Sequence, residues 1–204
     1  VRKFLDDLVD LDDEFILQKD NRRNGYYPTF VKNRPEILAL KTTRHHELIE
    51  KYLECVVDLH VVAIVRHPAA AINSWTKSFK EFAKKGCVVE DDWRTGACRK
   101  GDVGEYWGFE DWLNVTKHFV ALSKKYSNFE LIRYSDLVRQ PAATISALFE
   151  RLGMEMDPQT LQFLADCHTR HDPDPYSVFK SKVVLDEWRQ ELAPSIRDQI
   201  LRET

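Results

Sequence analysis

The sequence predicts an α/β fold built on a parallel sheet, and three observations lead there. The run VVAIV, residues 61–65, is short, apolar and β-branched, the pattern of a buried strand. Pro68 follows it where a helix would begin, in the first turn, at which a missing N–H costs nothing. Strand-like runs then alternate with segments of helical period, which implies parallel strands joined by right-handed crossovers.

Each element follows in order. Phe4, Leu5, Leu8, Leu11, Phe15 and Ile16 recur at helical spacing, so residues 1–20 are expected to be a helix. Residues 21–34 are polar and punctuated by Gly and Pro, a loop. A strand is expected at 37–41, ending at Lys41, and a helix at 46–55. The strand at 61–65 leads into a helix over 68–84, with His67 held out of helical geometry by the proline after it. Residues 86–108 carry most of the seven glycines, two tryptophans and mixed charge with no clean period, an irregular insertion of the kind that tends to be functional. Helix 109–126, strand 129–133 and helices 141–152 and 158–167 come next. A loop at 168–182 and a helix at 183–202 close the chain.

A chain of 204 residues is expected to form one domain, 1–204, with a proper core. Its composition, 43% hydrophobic and 31% charged, is that of an ordinary globular protein. A net charge of −3 gives no bulk argument for nucleic acid or anionic membrane as a partner. No apolar run is as long as a membrane span, and no signal peptide is present. Cys55, Cys87, Cys98 and Cys167 form no zinc spacing and are expected to be free thiols; Cys87 and Cys98, flanking a polar segment, would pair in an oxidising compartment. Cys167, His168 and His171 lack a fourth ligand and read as a helix end entering a polar loop, so no metal is expected. Asn114-Val115-Thr116 is a glycosylation sequon by pattern.

Arg66 and Ser74 are the most informative pair. Arg66 falls at the carboxyl end of the 61–65 strand, and Ser74 two turns into the following helix. A guanidinium, a hydroxyl and a helix N-terminus converging at a strand end make a phosphate site. The alternative is a strand–helix turn whose arginine pairs with a carboxylate.

Arg-x-Pro with Ser eight residues after the Arg resembles the site by which sulfotransferases hold the 3′-phosphate of 3′-phosphoadenosine-5′-phosphosulfate (PAPS). LIRYSDLVRQPAATISALFERLGM, residues 131–154, is similar to the family's strand–YEDL–helix–LG segment. PYSVFKSKVVLDEWRQEL, residues 175–192, is similar to the C-terminal segment that closes over the nucleotide. LALKTTR, residues 38–44, sits where the family has a strand ending in a catalytic lysine. The four segments occur in the family's order.

The resemblance implies a three-layer parallel sheet of P-loop/sulfotransferase type, with PAPS as co-substrate and no metal. Its N-terminal 5′-phosphosulfate loop is not seen, so the chain is expected to lack the first βα unit. It implies transfer of a sulfuryl group to a hydroxyl of a carbohydrate or small metabolite. Lys41 would neutralise the leaving nucleotide, and Arg66, Ser74, Tyr134, Phe179, Lys180 and Lys182 would bind it. Thr43 stands where many cytosolic relatives have a catalytic histidine, so His45 is the candidate base, with the acidic run Glu90, Asp91 and Asp92 as rivals. Trp93, Tyr106 and Trp107 would either stack on sugar faces or anchor the insertion. The alternatives are a phosphotransferase on a related P-loop scaffold and a non-catalytic nucleotide-binding module. A cytoplasmic location is expected, or the Golgi lumen if an anchor precedes residue 1.

Overall fold

The computed structural model describes residues 37–77, 81–173 and 185–204, with positions 3, 7, 23 and 179. The expected helix at 1–20 and loop at 21–34 lie outside this set, apart from single positions. In chain order, a 3-10 turn at His46–Leu48 enters α1 (Ile49–Cys55), followed by β1 (Val61–Val65), α2 (Pro68–Thr76), α3 (Glu81–Lys84) and α4 (Val89–Asp92). Then come α5 (Phe109–Lys125), β2 (Phe129–Arg133), α6 (Tyr134–Arg139), α7 (Pro141–Arg151), α8 (Pro158–Thr169), α9 (Trp188–Glu191) and α10 (Pro194–Glu203).

The two strands pair in parallel, with Val61 opposite Phe129 and Val65 opposite Arg133. Their bounds are those expected from the sequence. One face of the pair, centred on Ala63 and Phe129, is buried against Ile49 and Leu53 of α1 and Phe119 and Leu122 of α5. On β1 the alternate residues Val62 and Ile64 are 37% and 52% exposed. The described residues therefore form a helix layer on a two-stranded sheet, and the expected three-layer sheet is not seen among them.

A second core lies beside α2. Ala69, Ala70 and Ile72 pack with Trp93, Phe109, Trp188, Leu192, Ile196 and Ile200. Fully burying side chains such as Ile72 and Phe109 contributes about 1.5–3 kcal/mol each. The alanines let α9 and α10 approach α2 closely, which brings the C-terminal residues next to the β1–α2 turn.

Several expectations are corrected. Residues 37–42 have no regular structure, so the strand at 37–41 does not form. Ile37 and Leu40 are exposed, and a strand is stable only with a neighbour to pair its backbone. The helix expected over 68–84 ends at Thr76, where Lys77 turns extended. The helix expected over 183–202 is broken: residues 185–187 form a turn, and Pro194 starts a new helix after Ala193 turns extended. Tyr134 begins a helix, α6, that the sequence reading did not separate. Cys87 and Cys98 are joined by a disulfide, with Cα atoms 5.7 Å apart, against the expected free thiols. Cys55 and Cys167 are free.

The insertion at 86–108 is irregular apart from α4, and it is firmly anchored. Its Trp93 is buried in the α2 core, which removes it from any sugar-facing role. Gly108, at φ 88°, begins α5 and crosses Gly96 so closely that a Cβ on either would strike backbone. Only glycine permits that crossing.

Candidate functional site

Arg66 follows the last residue of β1, and Pro68 opens α2 two residues later. The extended geometry of His67, ψ 132°, turns the chain between them. A small cleft opens there, lined by Arg66, Ala70, Asn73, Ser74, Lys77, Leu185, Glu187 and Trp188. Residues 70, 73 and 74 share one face of α2, by the three- and four-residue spacing of helix neighbours, and Lys77 caps its C-terminal end. Leu185, Glu187 and Trp188 complete the lining.

Arg66 is held but not satisfied. Its guanidinium carbon sits 5.2 Å from the centroid of the Tyr134 ring, a cation–π contact. Its backbone carbonyl accepts a hydrogen bond from Trp112 Nε1 at 3.1 Å. Its Nε is buried with no hydrogen-bond partner among the described residues. A buried charge-bearing donor left unpaired is costly, and an anion entering the cleft would relieve it. Asn73, 6% exposed, donates from Nδ2 to Glu191 Oε2 at 2.7 Å. Lys77 Nζ pairs with Glu187 at 3.0 Å and Glu191 at 3.1 Å.

The remaining candidates lie elsewhere. Lys41 is exposed on the irregular segment and does not line the cleft. His45, likewise outside the cleft, takes a left-handed conformation, φ 56°, with Nδ1 3.4 Å from Glu47. Its N–H donates to the Gly104 carbonyl at 2.9 Å, and a Cβ at residue 104 would clash with the His45 ring. Phe179 contacts Phe163, Arg170 and Asp172, none of which lines the cleft. Lys180 and Lys182 lie outside the described residues. Glu90 and Asp91 are exposed, while Asp92 accepts from the Val88 N–H at 3.0 Å, a local cap.

A second polar cluster was not foreseen in the sequence. Arg44 donates to Glu105 at 2.6 Å and to Asp102 at 3.3 Å. Tyr106 donates its hydroxyl to Glu47, and its ring lies 4.9 Å from that of His46. The insertion thus grips the segment that follows Lys41 at three points. Tyr106 is pushed up to about 12, by burial first and then by the Glu47 hydrogen bond. That same hydrogen bond is the main cause holding Glu47 below the usual carboxylate range. Burial lowers His46, and proximity to His118 and His45 adds to this against the opposing pull of Glu47. His46 Nδ1 and His118 Nε2 are buried without hydrogen-bond partners among the described residues. The adjacent letters Arg44 to Glu47 hinted at a polar site, but their partners lie some sixty residues on, a pairing no local pattern shows.

A family model described as the sulfotransferase family matches residues 4–158, most of the chain, and the protein belongs to that family. No curated protein and no solved structure matches it significantly.

Proposed function

We propose that the protein transfers a sulfuryl group from PAPS to a hydroxyl of a carbohydrate or small metabolite. The observation that carries this reading is Arg66. Its buried, unpaired Nε stands at the carboxyl end of β1, in one cleft with Ser74 and beside the first turn of α2. Those groups suit a phosphate, and the 3′-phosphate distinguishes PAPS from common adenine nucleotides. Tyr134, under the guanidinium, is a neighbour for the adenine.

In the reaction the acceptor oxygen attacks sulfur in line, and the bond from sulfur to the bridging oxygen of the nucleotide breaks. Charge gathers on that departing oxygen, so a cation there lowers the barrier, and the acceptor's proton passes to a base. Lys41 is the proposed cation and His45 the proposed base. His45 belongs to the segment that the insertion grips and Lys41 lies just before it, so that docking would position the base and constrain the chain that carries the cation.

The Cys87–Cys98 disulfide supports an oxidising compartment over the cytoplasm, since such bonds are rare where thiols are kept reduced. The sequon residue Asn114, exposed on α5, agrees with a lumenal location.

Thermal shift tests the reading. 3′-Phosphoadenosine-5′-phosphate should raise the melting temperature, and AMP should raise it less. Stabilisation by ATP–Mg²⁺ alone would replace it with a phosphotransferase.

A further inference from the structure

We propose that Lys77 is a second cation for the 3′-phosphate, masked by Glu187 until the nucleotide enters. This rests on the PAPS reading above and adds a residue and a device to it. Lys77 follows α2 three residues after Ser74, about 4.5 Å further along the helix axis at the usual rise. It lines the same cleft as Arg66 and Ser74. The carboxylate that lines this cleft is Glu187, and Lys77 Nζ is bonded to it at 3.0 Å. The nearby Glu191 lies outside the lining, and its Oε2 takes both Lys77 Nζ at 3.1 Å and a hydrogen bond from Asn73 at 2.7 Å.

This arrangement has a direct consequence. A dianionic phosphate beside Arg66 and Ser74 enters a cleft that already holds the Glu187 carboxylate. Like charges that close cost free energy, and Lys77 is the group that can offset it. The ammonium is a point charge on a flexible stem with three donors, so it can turn from Glu187 to the phosphate. It can keep Glu191 while doing so, because Glu191 Oε2, 3.1 Å from Nζ, does not line the cleft that the phosphate would enter. Glu187 then loses its partner to the ligand and moves toward solvent, where its side chain is already 44% exposed. Lys77 thereby reads the 3′-phosphate, and Glu187 opposes anions too weak to displace it.

Calorimetry on the full chain, with 3′-phosphoadenosine-5′-phosphate and with AMP, tests this. Lys77→Ala should weaken the bisphosphate about tenfold or more and leave AMP nearly unchanged, while Lys77→Arg keeps most of the affinity. Glu187→Gln, which removes the competing charge at constant shape, should tighten the bisphosphate and not AMP. Unchanged bisphosphate affinity in both Lys77→Ala and Glu187→Gln, with the unmodified chain still preferring the bisphosphate, overturns the role of Lys77 alone. Equal losses of both ligands in Lys77→Ala would make it a structural residue. If the unmodified chain does not prefer the bisphosphate, the nucleotide reading itself falls. Should Lys77→Ala fail to fold, Glu187→Gln decides by itself.

Discussion

The His67 imidazole lies flat on the Trp188 indole, with ring centroids 4.5 Å apart and planes 15° from parallel. Trp188 is 2% exposed and also lines the cleft beside Arg66, so this stack clamps the C-terminal α9 onto the turn that presents Arg66. Burial lowers the His67 pKa, the Arg189 charge adds to that, and Asp186 opposes it.

The stack predicts a pH dependence of stability. A histidine below its ordinary 6.5 in the folded state binds fewer protons there than when unfolded. Its contribution is therefore complete above 6.5 and is lost as pH falls below it. His46, lowered by burial, acts in the same direction. Thermal melts should fall as pH drops from 7 toward 5, and His67→Phe should flatten part of that slope while keeping the aromatic stack. An unchanged slope would show that His67 does not titrate differently on folding.

Arg66→Ala should weaken 3′-phosphoadenosine-5′-phosphate far more than AMP. A charge-assisted hydrogen bond to phosphate is worth about 1.5–3 kcal/mol, or roughly ten- to hundredfold in Kd. Equal losses for both nucleotides, measured by calorimetry, would mean that Arg66 does not read the 3′-phosphate.

This cleft shows what was legible in the sequence and what was not. Both strands and the Arg66–Ser74 pair followed from local pattern, because a short hydrophobic run and a proline largely fix their own geometry. Lys77 was hidden inside a helix expected to continue to residue 84, although it lines the same cleft as Ser74. Trp188 and Glu187 were read as parts of a covering segment, but nothing local tells which side chains turn toward Arg66. The strand expected at 37–41 failed for the converse reason. Its apolar run, Ile37 to Leu40, suits a strand, yet a strand depends on a partner supplied by distant sequence. The disulfide likewise depended on folding, which brings Cys87 to Cys98 across α4.

Cys87→Ser/Cys98→Ser should destabilise the protein by about 3 kcal/mol, the loop-closure contribution for a sequence separation of 11. The disulfide closes the loop carrying α4, next to Arg99, which pairs with Glu81 at 2.9 Å and lies over the Trp107 ring. Reduction should therefore loosen the insertion before the sheet. Hydrogen exchange would show this as lost protection over 87–108 with β1 and β2 unchanged. A uniform loss would mean that the insertion is not a separate unit of stability.

The last prediction concerns the segment that the insertion holds. If Lys41 neutralises the departing nucleotide, its charge matters chiefly in the transition state. Lys41→Ala should then lower turnover about a hundredfold or more and leave nucleotide affinity nearly intact. A general base acts only when deprotonated, so the rate should rise with pH through the pKa of that base. His45→Ala should remove this acidic limb, and Glu90→Ala, which alters an exposed acid on α4, should not. Gly104→Ala separates position from chemistry. It leaves every titrating group in place but drives a methyl into the His45 ring, so it should lower turnover without changing nucleotide affinity. If Gly104→Ala and His45→Ala both keep full turnover, His45 is not the base. If Lys41→Ala also keeps it, the catalytic cation is not on this segment.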